Sequence, residues 1–464
     1  MKEQGEQTSR GMTGKKAVLF TVTTTAFLIP FMGSSVNVAL PHIAADLDMD
    51  AVLLSWVAAA YLLSAAVFLV PVGRIADIHG RKKVYVYGIV VFTTFSFLSG
   101  IASSPAALIA FRFAQGIGSA MVFGTGTALL TAVFPRGYLG RALGITVAAV
   151  YIGLSAGPLL GGLLTEHIGW RSIFLAVVPL GMSAFVLAVL RLDHDEVEAK
   201  GESFDLGGSV VYSMALMFLI LGFSRLPEML GLWLVAAGFA GTGFFLWWES
   251  RQRNPVLDID MIRSNRVFAL SNLAALISYS ATFAVVFMMS LYLQYIKGLT
   301  PQNAGFILVC QPVVMALFSP FAGKLSDRIE PRIVASAGMA MTTVGLIMLA
   351  FLDGNSSLGF VVMGLAVLGM GIAFFSSPNT NAVMSSVDSR HYGFAAGMVG
   401  TMRLVGQVMS MAMAMMALSV FIGRSRITPE HYSGFVDAMT VAFFVFAVLC
   451  FVGMFASLAR GKLR

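Results

Sequence analysis

Gly73-Arg74-Ile75-Ala76-Asp77-Ile78-His79-Gly80-Arg81-Lys82-Lys83 interrupts two long apolar runs. Gly323-Lys324-Leu325-Ser326-Asp327-Arg328-Ile329-Glu330-Pro331-Arg332 does the same 250 positions later. Each is a short charged turn between stretches long enough to cross a bilayer, which takes about 20 mostly apolar residues. One phrase used twice in the same setting marks two related halves. Related halves in a membrane point to alternating access.

Composition agrees. Hydrophobic residues make up 58% of the 464 residues and charged ones 11%, against roughly 25% charged in a soluble domain. The chain is therefore a bundle of spanning helices rather than a set of water-soluble domains. The net charge of +7 invites a nucleic-acid reading, but the positions of the charges reject it. Most Lys and Arg fall in the termini and in alternate loops, which is the positive-inside asymmetry. It predicts a multi-pass protein of the cell membrane with both termini and both charged turns in the cytoplasm. The first outer loop carries Asp46, Asp48 and Asp50 and no basic residue. Cys310 and Cys450, each in an apolar run, read as packing residues rather than a disulfide or metal site. The polar start, with Lys15 and Lys16 before the first apolar stretch, reads as a cytoplasmic tail and not a cleavable signal.

Fourteen segments are apolar enough to span. They are centred near Ile29, Leu63, Thr93, Ala120, Tyr151, Pro179, Met217, Ala237, Thr282, Val313, Gly345, Gly371, Gln407 and Val448. The repeat runs beyond the charged turns. Gly116 and Gly118 match Gly369 and Gly371, and Gly140 and Gly144 match Gly393 and Gly397, all offset by 253. Segments one to six thus repeat as nine to fourteen. The division expected is residues 1–191 as one six-helix bundle, 192–259 as a linker with two extra helices, and 260–464 as the second bundle. The extra pair reads as a peripheral packing insert. The acidic stretch with Asp193, Asp195, Glu196 and Glu198 reads as the connection between halves.

Within this frame a few residues stand out. Gly73, Asp77, Gly80 and Arg81, with Gly323, Asp327 and Arg328, form a candidate conformational switch. A carboxylate at a helix end can cap a neighbouring helix or pair with a cation in one arrangement of the halves and not in the other. Glu330 stands where the first copy has Gly80, so the second turn is expected to be degraded. Arg112 lies within the fourth segment with Gln115 one turn on. A cation there is costly unless it is paired, wet or snorkelling, so it reads either as a cavity residue or as one reaching the outer surface. Gly153, Gly157 and Gly161, joined by Gly162, leave a stripe free of side chains where another helix can approach. Pro158 breaks the backbone ladder within it.

These residues resemble the Major Facilitator Superfamily, and most of all its fourteen-helix drug:proton antiporter branch. The first charged turn is similar to the family's loop motif between helices two and three. Arg112 is similar to its helix-four arginine, and Gly153 to Gly162 to the helix-five motif of antiporters. Asn37-Val38-Ala39-Leu40-Pro41 resembles the end of a first-helix motif. The resemblance covers essentially the whole chain. It implies an all-α fold with 14 transmembrane helices, two pseudo-symmetric six-helix bundles plus two inserted helices, a central cavity and a rocking movement. It also implies a monomer that exports amphipathic small molecules in exchange for protons, with no cofactor, no metal and no nucleic-acid partner. One position departs: the branch usually carries an aspartate five residues before the asparagine, and here that residue is Met32.

No other acid takes its place near mid-span. Glu249, Asp205 and Asp437 come nearest, at segment ends, and His79, His167 and His391 lie near the surfaces. Arg403, with Gln407 one turn on, falls near mid-depth and has no acid in its sequence neighbourhood. It reads either as a substrate-facing cation or as a tie to backbone carbonyls. With Arg112 it would make the cavity electropositive and favour neutral, zwitterionic or anionic ligands. Asn37, Tyr61, Tyr279, Gln311 and Asn379 complete the candidate substrate-binding set, with Tyr61, Tyr279, Gln311 and Arg403 nearest mid-depth. Each reads equally well as a helix–helix hydrogen bond. Gln294 reads as interfacial. Uptake of a specific neutral or anionic metabolite is the alternative to efflux. No nucleotide-binding loop, metal cluster or nucleophile–base set suggests an enzyme.

Overall fold

The computed structural model describes residues 2–134, 136–192, 204–252, 259–388 and 392–461. Asp193, Asp195, Glu196, Glu198 and His391 lie outside the described residues. The chain runs α1 (Lys2–Leu47), α2 (Ala51–His79), α3 (Arg81–Gly100), α4 (Pro105–Val133), α5 (Arg136–His167), α6 (Arg171–Arg191), α7 (Leu206–Arg225), α8 (Met229–Glu249) and a short α9 (Ile259–Ser264). There follow α10 (Arg266–Leu291), which continues as a π-turn over Tyr292–Ile296, and α11 (Pro301–Leu308) and α12 (Cys310–Ser326). The last four are α13 (Pro331–Ala350), α14 (Leu358–Ser385), α15 (Tyr392–Phe421) and α16 (Tyr432–Ala459). With α11 and α12 counted as one span, 14 helices are long and apolar enough to cross a membrane. No strand occurs among the described residues.

The helix starts follow from local chemistry. Asp50, Ser104, Asp205, Asn265, Thr300 and Ser357 each accept a backbone N–H of the first turn, satisfying donors that a helix leaves open. Pro105, Pro301 and Pro331 open their helices, where a missing N–H costs nothing.

The sequence repeat is a contact repeat. A Cβ on Gly116 would run into Tyr61 of α2, and one on Gly369 into Gln311 of α12. Gly118 lies against Gly88 and Phe92, and Gly371 against Gly338 and Thr342. Gly153 lies against Phe27 of α1, and Gly406 against Leu276 to Ser280 of α10. Two bundles that reuse the same close approaches are built on one plan. Helices α1 to α6 pack on one another, as do α10 to α16.

The inserted pair is less peripheral than expected. α7 packs against both α2 and α15, and the Tyr212 hydroxyl donates to the Ala66 carbonyl of α2 (3.0 Å). It thus covers one of the two seams between the bundles. α8 leans on α7 and exposes Leu232, Trp233, Phe239 and Trp247, the composition of a lipid-facing surface.

The two charged turns solve one problem differently. Gly80 joins α2 to α3 with φ 110°, a left-handed conformation that only glycine adopts freely. Asp77 pairs with Arg81 across it (2.8 Å). In the second copy Glu330 keeps φ −48° and Pro331 starts α13, so no glycine is needed there. Asp327 accepts from Asn381 of α14 (3.3 Å), and Arg328 is exposed. A Cβ on Gly73 would meet nothing, whereas one on Gly323 would meet the Ser377 hydroxyl. The second turn has changed its backbone solution and keeps its aspartate engaged.

Candidate functional site

Three groups of polar side chains inside the spans bear first on the expected site. The first belongs to the N-terminal bundle. Arg112 is 1% exposed. Its Nε donates to the Val57 carbonyl (3.0 Å) and its guanidinium to Gln115 Oε1 (2.5 Å). Gln115 passes the chain on to Ser96 (2.6 Å). The Arg112 guanidinium stacks on the Tyr61 ring at 4.3 Å, and Tyr61 donates to Ser119 (3.0 Å). A buried cation is tolerable when its donors meet carbonyls and its face meets an aromatic ring. Arg112, Gln115 and Tyr61 therefore stand inside one bundle, between α2, α3 and α4, rather than on an open cavity wall. Arg112 does not snorkel outward either.

The second group ties helix ends together. Asn379, buried, donates to the Ser271 carbonyl (3.1 Å) and accepts from Arg460 (2.8 Å). Arg460, just past α16, is 1% exposed and also donates to the Ser271 hydroxyl (3.1 Å). Burial pulls its guanidinium down to about 10, with Glu330 opposing the shift. Asn379 is therefore held within the C-terminal bundle and offers no free face to a ligand. The sequence reading missed Arg460 because a cation at a chain end looks like a membrane anchor.

The third group lies between the bundles. Tyr151 of α5 accepts from Ser319 of α12 across the seam (3.3 Å). The Tyr279 hydroxyl of α10 lies 3.3 Å from that of Ser376 in α14. The Arg403 guanidinium of α15 stands 5.6 Å from the Tyr279 ring centre and within electrostatic range of Tyr151. Arg403 Nε is buried and has no acceptor. Gln407 lies one turn further along α15, half-buried. Gln311 lies two turns from Ser319 along α12, about 12 Å by helical rise, and its buried Oε1 has no donor. Of the nine residues expected to bind substrate, the structure brings Tyr279 and Arg403 together here, with Gln407 and Gln311 placed near them only by their positions along α15 and α12. Tyr151 and Ser319 were not anticipated. Laying α5 on α15 by the 253-residue offset would have shown Tyr151 next to the position of Arg403.

Asn37 sits apart, at the end opposite the charged turns, where the bundles meet closely. There Ser290 donates to the Asn37 carbonyl (2.7 Å) and Gln294 to the Val38 carbonyl (2.9 Å). Gln294 is thus a seam residue and not an interfacial one. Glu166 accepts from the Gln302 N–H (3.0 Å), His167 meets the Gln302 side chain (3.1 Å), and Arg426 pairs with Asp48. A Cβ on Gly162 would overlap the Pro301 carbonyl, and one on Gly305 that of Pro158. Gly153, Gly157 and Gly161 meet α1 instead. Near the starts of α5 and α15, Gly140, Gly144, Gly393 and Gly397 have nothing within 4 Å of a Cβ. Among the described residues no group of three His, Cys, Asp or Glu could hold a metal.

Fourteen spans, a contact repeat and a polar group between two bundles define a membrane transporter. The sequence pattern of the Major Facilitator Superfamily matches residues 22–249 and 271–462, and the chain belongs to that family. It is 28% identical to the riboflavin transporter RibZ of Clostridioides difficile over 446 residues, covering 96% of this chain and 97% of the relative. It is 32% identical to the cephamycin export protein CmcT of Amycolatopsis lactamdurans, covering 98% and 95%. It is 33% identical to the multidrug resistance protein Stp of Mycobacterium tuberculosis, covering 85% and 74%. Among solved structures it resembles a bacterial homolog of the human lysosomal transporter Spinster, with TM-score 0.68, 15% identity, and 96% and 97% covered. The family and these neighbours make it a transporter and not an enzyme, a multi-pass protein of the cell membrane.

Proposed function

We propose that this chain exports amphipathic small molecules by alternating access, coupled to protons, with residues 1–191 and 260–464 as the rocking units and both termini cytoplasmic. The observation that carries the reading is Arg403. It faces the seam between bundles, half-buried, with a buried Nε that no protein acceptor meets. Tyr279, Gln407, Gln311, Tyr151 and Ser319 complete the site around it. A cation without a carboxylate partner favours neutral or anionic ligands and repels lipophilic cations. The Gly153 to Gly162 stripe with Pro158 serves as the hinge against α1 and α11. The two charged turns bias the equilibrium from the cytoplasmic side. The cephamycin export protein CmcT and the multidrug resistance protein Stp support efflux of this kind.

Uptake or facilitated transport of a specific metabolite is the second reading. It is favoured by the full-length match to a riboflavin transporter and by Met32 in place of the usual acid. Transport into proteoliposomes, with pH and voltage imposed separately, separates the two. Accumulation that follows the pH gradient supports proton-coupled export. Counterflow indifferent to pH would overturn the coupling.

A further inference from the structure

The first-helix stretch Asn37-Val38-Ala39-Leu40-Pro41 meets α10 at a special place. Asn37 and Ser290 are 253 residues apart, the offset of the repeat, and they touch. Equivalent positions of two related halves meet only where the pseudo-twofold axis passes. By the same offset Pro41 corresponds to Gln294.

Both backbones are irregular there. In α1, Pro41 has no N–H, so the Asn37 carbonyl lacks its helical donor four residues on. In α10, the helix widens into a π-turn over Tyr292–Ile296, a feature common at functional sites. The freed Asn37 carbonyl receives the Ser290 hydroxyl from the other half at 2.7 Å. Gln294 Nε2 bridges to the Val38 carbonyl (2.9 Å) and to Ser290 Oγ (3.0 Å). Ser290 is fully buried.

We propose that Pro41, Ser290 and Gln294 form a latch that holds the outer seam shut: proline exposes a carbonyl of one bundle so that a hydroxyl and an amide of the other can close on it. The latch is built to open. Asn37 Oδ1 and Gln294 Oε1 lie beside it, buried and without donors, and unsatisfied buried acceptors subtract from the stability of the closed arrangement. Separation of the bundles lets water reach both acceptors, which lowers the cost of opening. The proposal rests on the rocking movement above and not on the identity of the substrate.

Spin labels at Ser103 and Asn355, exposed in loops of opposite bundles, read this gate without substrate in a chain whose Cys310 and Cys450 are replaced by serine. Ser290→Ala should raise the ratio of separated to closed distances about 2- to 12-fold, the worth of one net hydrogen bond, and Gln294→Leu should raise it by less, because it also removes the donorless Oε1. Pro41→Ala restores a competing N–H and should shift the ratio the same way. Added to Ser290→Ala it should change nothing further, because both act through one bond. Unchanged distances in Ser290→Ala and Gln294→Leu, or additive effects in the double variant, would overturn the latch. Should Pro41→Ala fail to fold, Ser290→Ala and Gln294→Leu decide the matter by themselves. A shift in distances with no detectable transport would count against the substrate reading and leave the latch standing.

Discussion

Arg112 and Arg403 are both arginines inside spanning helices, and they live in opposite ways. Arg112 has carbonyl, amide and ring partners within its own bundle. Arg403 has one aromatic face, a buried Nε without an acceptor, and a place at the seam. The first cation spends its interactions on holding a bundle together. The second keeps them available. Position within a span does not separate the two; the company each keeps does.

Substitution should expose that difference most strongly in stability. Arg112→Met leaves Gln115 Oε1 buried without a donor, at about 1–3 kcal/mol, and removes the second donor of the Val57 carbonyl and the stack on Tyr61. Thermal unfolding in detergent should show a loss of about 2–5 kcal/mol, against under about 1 kcal/mol for Arg403→Met. Equal losses would erase the contrast. The same division between committed and open positions runs along α5. Gly162→Val forces a side chain into the Pro301 carbonyl and should cost the outer-closed arrangement about 1–3 kcal/mol. Gly144→Val meets nothing in this conformation, so distance measurements across the outer seam should not move. Tyr279→Phe keeps the ring that Arg403 faces and removes only the contact with Ser376. It should cost about 0.5–1.5 kcal/mol and leave ligand affinity within about threefold.

The smallest effect concerns an outer loop. Ser356 and the Asn355 N–H hold the Asp353 carboxyl below its usual range. Its contribution is therefore complete above the ordinary aspartate value and fades as pH falls toward the lowered one. Unfolding of wild type and Asp353→Asn followed through that window should converge at its acidic end. A gap that widened on acidification would contradict the assignment.

The fold was legible in the sequence because its signals are one-dimensional. Apolar length, loop charge and the offsets of 250 and 253 each survive without coordinates. The turn at Gly80 was legible for the same reason, since glycine there answers a local backbone need. The site was legible only in part. Tyr279, Arg403 and Gln407 could be nominated by depth, but depth could not say that Arg112 and Asn379 turn toward their own bundles. Side-chain direction depends on which helices flank a position, and that is fixed by packing across hundreds of residues. Gln294 was misread and Arg460 passed over for one reason: at segment ends, a tie and an anchor have the same composition. The inserted α7 looked bland because its role at the α2–α15 seam lies in where it sits rather than in its residues.

Direct ligand binding to purified wild type and Arg403→Met, across an aromatic amphiphile in anionic, neutral and cationic forms, tests the central claim. One charge-assisted hydrogen bond is worth about 1.5–3 kcal/mol, roughly 10- to 150-fold in affinity. The account predicts that Arg403→Met loses about that much for the anion, less for the neutral form, and nothing for a cation that binds weakly at the outset. Tight binding of the cation to wild type, unchanged in Arg403→Met, would contradict it.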